Sequence, residues 1–471
     1  MAIFTENNYK KLYKLFLIFY LCFTCLERIM ILKNYIPLSV IQLIYNSLAV
    51  VGVLLVLKNI FSYKENIKNR TYLLLLVFCF ISILSCLINI KYGFSDNIKT
   101  LIWLAIQINV FYPATFILGK DEIQKSLYYF LMFINVIWSI AIIISIYQFI
   151  TQIHFSIVIN NYTYYQGFYK TRLFGTFIDP NFAGMMSFIF IIANIVLIVN
   201  KKAKYLSIFA IIMNFLYTIL SGSRTVEICE IIVVFLAIFI LFLNKYNLKN
   251  HSYIKSVVIF LISILISFSC IPINTIGQDA LAQLPVIYKN NNKSDNHKNT
   301  NLKKKTSTSK RKNKQKNVLK RTDTNSENVS NNRFYIWKSY LDTMQGDLIL
   351  GKSPRNAINK ITEEYPNSYI SQTKYETHNG YLSVFVYTGI LGSIIMLIVL
   401  VRLFLFAMDL IFRKHYFNSV FLGCVMVCAV ILISTFFLTE TFFVNTFGST
   451  SFWLLAGYVE KEKNDLSQRL V

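Results

Sequence analysis

The sequence predicts an all-α fold: a polytopic membrane bundle of about twelve transmembrane helices, interrupted by one large extracytoplasmic loop. Three observations carry this reading. The 471 residues are 55% hydrophobic, with 40 Phe and 30 Tyr but only 7 Pro. The apolar residues gather in runs of roughly 18–24, enough to cross about 30 Å of hydrocarbon at about 1.5 Å per residue. The basic residues flank those runs unevenly. The same composition excludes a soluble enzyme of two or three domains.

The first run, 12–31, follows Lys10, Lys11 and Lys14, lacks a small-residue cleavage site and ends in Glu27-Arg28. It reads as a retained signal-anchor helix. Runs at 36–57, 71–90, 99–118, 127–150, 181–200, 205–221, 226–244 and 255–275 complete a nine-span bundle over 1–275. A loop, 276–378, precedes spans at 379–401, 418–438 and 441–459 and a tail, 460–471. The 205–221 run is short, and the last two runs are joined by a tight turn. With the N-terminus inside, 21 basic residues fall on inner segments and 7 on the short outer ones. That asymmetry predicts both termini in the cytoplasm and the long loop outside. All eight cysteines (22, 25, 79, 86, 229, 270, 424, 428) lie in apolar runs, so no disulfide framework is implied. Cys22-x-x-Cys25 is better explained by helix packing than by metal or redox chemistry.

The loop divides in two. Residues 289–331 hold 13 Lys/Arg, much Asn, Ser and Thr, and no aromatic residue. Such a stretch buries too little apolar surface to offset its ordering entropy and is expected to be disordered. Lys303-Lys304-Lys305 and Lys310-Arg311-Lys312 have the look of a nucleic-acid signal, but an outside location argues for a polycationic tether facing lipid headgroups or an acidic polymer. No nucleic-acid partner is expected. Residues 333–378 should fold: Phe334, Trp337, Leu341 and Met344 recur at helical spacing, as in an amphipathic helix that lies on the membrane or caps the bundle.

Chemistry is expected where polar groups meet the outer helix ends. His378 stands alone at the mouth of the 379–401 span and accepts a proton at neutral pH when unprotonated. Three arginines share its side: Arg172 in Arg172-Leu173-Phe174-Gly175, leading to Asp179-Pro180-Asn181; Arg224 in Ser221-Gly222-Ser223-Arg224; and Arg333 in Arg333-Phe334-Tyr335-Ile336-Trp337. Pro180 suits the first turn of a helix that Asp179 caps. The arginine fork matches phosphate, and helix starts at 181 and 226 add partial positive charge, which suits a lipid-linked diphosphate. Taken singly, each arginine is better explained as an interfacial anchor or as a partner of a nearby acid, as Glu227 is for Arg224; the three together with His378 favour the functional reading. Asp179, Glu227, Glu230 and Glu440 are the acidic groups near this face, and Glu440 is a weaker second candidate base. Walker, zinc-like and Gly-rich nucleotide motifs are absent from the sequence, so an outward site must take a donor that is already activated.

These segments resemble the O-antigen ligase and repeat-unit polymerase superfamily of integral-membrane glycosyltransferases. The resemblance rests on the Arg172-x-x-Gly175…Pro180-Asn181 segment, the Ser-x-Ser-Arg224 turn, and the Arg333-x-x-x-Trp337 start. Its most specific part is His378-Asn379-x9-Gly389-x-x-Gly392. It covers roughly 165–400; the first five spans share only hydropathy, and the insert at 289–331 has no counterpart. The resemblance implies a GT-C-like bundle in the bacterial plasma membrane. It implies an undecaprenyl-diphosphate-linked glycan as donor, an acceptor glycan or other hydroxyl acceptor, and neither cofactor nor metal. It assigns the acceptor-side role to His378 and the diphosphate to Arg172, Arg224 and Arg333. Gly389 and Gly392, three apart, are expected to permit close helix packing below the site. The first functional reading is a polymerase of surface-polysaccharide repeat units. The second is a ligase moving a finished glycan to a lipid, wall or protein acceptor. A non-enzymatic exporter or flippase is the third, and it predicts a pseudo-repeat and mid-membrane charges instead.

Overall fold

The computed structural model describes residues 6–62, 69–159, 162–245, 253–289, 319, 332–412 and 418–469. Nearly all of the basic insert expected to be disordered lies outside these residues. Each of the twelve apolar runs overlaps a helix, although residues 435–446, which the last two runs partly cover, are not helical. α1 (Glu6–Leu26), α2 (Met30–Tyr35), α3 (Leu38–Ser62) and α4 (Arg70–Ile88) come first. α5 (Ser95–Ile106) passes through a π-helical turn, Gln107–Phe111, into α6 (Ala114–Leu118), and α7 (Lys120–Thr151) follows. Next come α8 (Pro180–Val199), α9 (Lys204–Ser221), α10 (Arg224–Lys245), α11 (Tyr253–Phe268) and α12 (Cys270–Leu281). The folded part of the loop supplies α13 (Arg333–Asp342), α14 (Ala357–Glu364) and α15 (Tyr369–Thr373), and the chain closes with α16 (Gly380–Phe412), α17 (Ser419–Ser434) and α18 (Phe447–Arg469).

Among the described residues, 9 helical stretches are long and apolar enough to cross a membrane, against the twelve expected. The expected first, eleventh and twelfth spans are helices that miss this mark for visible reasons. α1 carries Lys10, Lys11 and Lys14, α17 has only 16 residues, and the second half of α18 is charged. The chain is mostly helical, as a polytopic membrane protein requires, because only intrahelical bonding satisfies the backbone in hydrocarbon.

The all-α expectation needs one correction. Between α7 and α8 lies a three-stranded antiparallel sheet, β1 (His154–Ile159), β2 (Tyr162–Tyr169) and β3 (Arg172–Gly175), in the order β1-β2-β3. Its residues are Tyr, Phe, Ile, Val and Thr, which favour a pleated surface. Tyr165 and Tyr169 stack at 4.1 Å on one face. Segment 28–30 adds to this unit: Ile29 bridges Phe177, and Met30 N donates to the Thr176 carbonyl at 2.7 Å.

α16 is not one continuous helix. Gly389 has φ 64 and ψ −162, a conformation open only to glycine. The break releases backbone groups in an apolar setting, and the loop segment 348–353 takes them up. Ile390 N donates to Leu348 O at 2.7 Å and Leu391 N to Ile349 O at 3.3 Å. In return Lys352 N donates to Val386 O at 2.7 Å and Ser353 N to Tyr387 O at 3.2 Å. A Cβ on Gly389 would lie 2.3 Å from the Ile349 carbonyl oxygen, and one on Gly392 would lie 2.0 Å from Thr388 Oγ1. Gly389 therefore serves a helix break filled by backbone, whereas Gly392 makes room for the Thr388 side chain one turn before it.

The inserted segment is held from below by buried charge. Lys352, whose side chain is 0% exposed, reaches Asp347 at 2.5 Å and Glu364 at 3.5 Å. Lys360 reaches Asp347 at 2.6 Å and Asn89 Oδ1 at 2.9 Å, which ties the loop to the end of α4. Above this, Ile336, Tyr340, Met344, Ala357, Ile361 and Ile370 form a small core with Val386 of α16. The buried stripe runs through Ile336, Tyr340 and Met344 with Trp337 packed against it, so Trp337 and Met344 of the expected face are covered while Phe334 and Leu341 are exposed. Gly389→Ala should destabilise the detergent-solubilised protein by about 2–4 kcal/mol. Gly346→Ala, at a left-handed position with open space around it, should cost only about 1 kcal/mol. Thermal unfolding of both variants checks the difference.

Candidate active site at one end of the bundle

The ends of α1, α9 and α17 and the starts of α8, α10, α16 and α18 meet at one end of the bundle, and the polar groups gather there. β2 and β3 are joined by Lys170 and Thr171 alone, both left-handed (φ 46 and 63), as a type I′ turn requires. This tight hairpin makes Arg172 the first residue of β3 and turns it inward, where it is 9% exposed. Its Nε donates to the Ser221 carbonyl at 2.9 Å, and its terminal nitrogen donates to Asn181 Oδ1 at 2.6 Å. Ser223 Oγ donates to the same Asn181 oxygen at 3.1 Å. Gly222, with φ 55, turns the chain so that Arg224 opens α10 directly beside this cluster. Asp179 caps α8 by accepting from Asn181 N at 2.8 Å and Phe182 N at 2.9 Å, with Pro180 in the first turn. Arg172, Pro180, Asn181 and the turn before Arg224 are therefore one structural unit.

His378 lies across from it. Asn379 caps α16, its Oδ1 accepting from Tyr381 N and Leu382 N, both at 3.0 Å. His378 just before it takes a left-handed φ of 46. Its neighbours are pinned: Trp337 Nε1 donates to the Thr377 carbonyl at 3.0 Å, Tyr340 OH donates to the Tyr375 carbonyl at 2.9 Å, and Gly380 N donates to the Thr435 carbonyl at 2.8 Å. Arg333 opens α13 with its guanidinium 5.8 Å from the Phe437 ring. Burial lowers the proton affinity of His378, and the Arg333 charge lowers it further, against the opposing pull of Glu376 and Asp179. The imidazole is thus held below its ordinary value and is neutral at neutral pH, as a proton acceptor must be.

Glu440 sits in the connection between α17 and α18, with Oε2 3.8 Å from Arg28. Burial pushes its carboxyl up to about 7, although Arg28 and Thr446 pull it down. The Arg28 guanidinium lies 4.3 Å over the Phe182 ring, next to the capped start of α8. Sequence reading treated Arg28 only as a boundary charge. The Glu27-Arg28 pair closing the first apolar run was the available signal, but the bridge from Ile29 to Phe177 that brings it here is not legible locally. Asp179 joins the two halves of the site, since its charge acts on His378 as well as on Arg28 and Glu440. Glu230 stands apart, buried one to two turns inside α10 and bonded to Asn274 Nδ2 at 2.7 Å. Gly389 and Gly392 are also away from this end, about 15 Å further along α16 at about 1.5 Å per residue. Among the described residues no group of three His, Cys, Asp or Glu side chains could hold a metal ion.

A pH prediction follows from the neighbours of His378. Because the folded protein lowers its pKa, the unfolded chain takes up this proton first as pH falls. His378 thus withdraws stability from below its ordinary range downward and costs nothing above it. Arg333→Gln should raise the His378 pKa, and Asp179→Asn, which keeps a capping oxygen, should lower it. Diethyl pyrocarbonate reactivity against pH, with the other four of the 5 histidines replaced, reads both shifts. Movement in the same direction would contradict the assigned charges.

Residues 208–397 match the family model described as O-antigen ligase. That segment contains Arg224, Arg333, His378, Asn379, Gly389 and Gly392, while Arg172, Pro180 and Asn181 precede it. No curated protein and no solved structure matches the chain. The chain is a multi-pass membrane protein whose segment 208–397 is similar to the O-antigen ligase family.

Proposed function

We propose that this protein is a membrane glycosyltransferase that uses a glycan on undecaprenyl diphosphate as donor and polymerises the repeat units of a surface polysaccharide. The observation that carries the reading is the placement of a neutral, partly buried His378 beside Arg333 at the bundle end where Arg172 and Arg224 also lie. In this reading Arg172, Arg224 and Arg333 bind the diphosphate, whose negative charge grows as the glycosyl bond lengthens. The acceptor hydroxyl oxygen attacks the anomeric carbon, the bond from that carbon to the diphosphate oxygen breaks, and His378 orients the hydroxyl or takes its proton. Glu440, with a carboxyl pushed up to about 7, is a weaker second candidate for the proton. Asn379 sets the histidine by capping α16, and Asn181 sets Arg172. The scheme asks for positioning and electrostatics and calls on no metal. The excess of basic residues on alternate connections supports both termini in the cytoplasm of a bacterium, with the site facing outward.

A ligase reading is favoured by a different observation, the O-antigen ligase description of the family matched by 208–397. It keeps the same donor and site and changes only the acceptor. Purified protein given lipid-diphosphate oligosaccharide separates the readings: a ladder of longer chains supports polymerisation, and product formed only with a separate acceptor supports ligation. Transbilayer movement of the donor without a new glycosidic bond would remove both. His378→Ala and Arg333→Ala should each lower the rate at least about 100-fold while insertion stays normal. Full activity in both would overturn the site.

A further inference from the structure

At the opposite end of the bundle, α7, α8, α17 and α18 enclose an apolar cavity that the reaction does not use. Its walls are aliphatic, with Leu131 of α7, Ala193 and Leu197 of α8 and Val427 of α17 among them. Its deep end is closed by three rings in mutual contact: Phe130 to Phe447 at 5.8 Å, Phe130 to Phe190 at 6.3 Å, and Phe190 to Phe447 at 5.7 Å. Its mouth is polar and carries Lys202 beside Tyr128, Asn200 and Gln124. From Phe190 to Val199, the last residue of α8, the helix rises about 14 Å, close to the roughly 15 Å that is half of a hydrocarbon core.

The charge at the mouth is one-sided. Lys202 lies 5.9 Å over the Tyr128 ring, and among the described residues it has no carboxylate within ion-pair distance. Apart from Asp121, which is exposed in the first turn of α7, the acidic groups on neighbouring helix ends are engaged elsewhere. Glu122 pairs with Lys14 at 2.6 Å and Lys125 at 2.9 Å, and Glu462 and Asp465 each pair with Lys120 at 2.8 Å. Lys201 and Lys204, both exposed, flank this segment in the chain. An apolar slot one leaflet deep, opening on an unneutralised lysine and a tyrosine, complements an anionic amphiphile with its chain inside and its phosphate at the mouth. The isoprenoid donor fits less well, because its diphosphate belongs at the arginine cluster on the other end.

We infer that this cavity is a binding site for one acyl chain of an anionic phospholipid, whose headgroup phosphate is held by Lys202. The full-length protein is delipidated in mild detergent and reloaded with phosphatidylglycerol or phosphatidylcholine, and bound lipid is counted by native mass spectrometry. Phosphatidylglycerol should remain at about one molecule per chain after phosphatidylcholine has washed off. Lys202→Gln should reduce phosphatidylglycerol retention about five-fold and leave phosphatidylcholine unchanged, as expected for about 1 kcal/mol from one lysine at a membrane surface. Ala193→Phe, which fills the slot, should abolish retention. Since that variant risks misfolding, Lys202→Gln, a surface change, decides the case by itself. Equal retention of the two lipids, no effect of Lys202→Gln, or displacement of phosphatidylglycerol by equimolar polyprenyl phosphate would overturn the assignment.

Discussion

The exchange of backbone hydrogen bonds at Gly389 is the constraint on which the remaining architecture rests. A helix broken in apolar surroundings exposes N–H and C=O groups that cost several kcal/mol each when unpaired. Here the 348–353 segment supplies the missing partners, donating from Lys352 and Ser353 and accepting from Ile390 and Leu391. The loop is therefore built into the membrane helix. Lys352, Asp347, Lys360 and Glu364 lock it there, and Asn89 fastens the lock to α4. A buried network of this kind is costly to break at one member, because the partner is left charged and unpaired.

The consequence reaches His378. The first two turns of α16 lie above the break and share a core with α13, α14 and α15. Thr377 and Tyr375 are held by Trp337 and Tyr340 from the same small unit. The histidine thus belongs mechanically to the loop, whereas Arg172, Asn181 and Asp179 belong to the bundle. The two halves meet across Asp179, whose charge acts on His378 and on the Arg28–Glu440 pair. A site assembled this way keeps the imidazole neutral close to a guanidinium, since burial and the Arg333 charge work in the same direction on it.

Several features escaped local reading for identifiable reasons. The strands at 154–175 alternate aromatic and polar residues over short lengths, and a scan for long apolar runs passes over them. The face of α13 is only half legible: Trp337 and Met344 are covered as their spacing suggests, but Phe334 and Leu341 repeat at helical spacing as well as Ile336 and Tyr340 do, and only the position of Val386 decides which are buried. The spacing of Gly389 and Gly392 suggests a packing face, but spacing alone does not reveal the φ of 64 at Gly389. Arg28 was passed over because its partners Glu440 and Phe182 lie far away in sequence.

The sequence by itself determined the helical membrane architecture, the cap at Asp179, and the list of groups able to bind an anion or accept a proton. Those follow from composition, period and the chemistry of single residues, all of which are local. Tertiary structure alone decided that Asn181 anchors Arg172, that Asp179 lies between His378 and Arg28, and that a loop strand completes a broken helix. Each of these depends on groups that the fold brings together across the bundle, and no local pattern encodes which distant carbonyl or carboxylate will be waiting there.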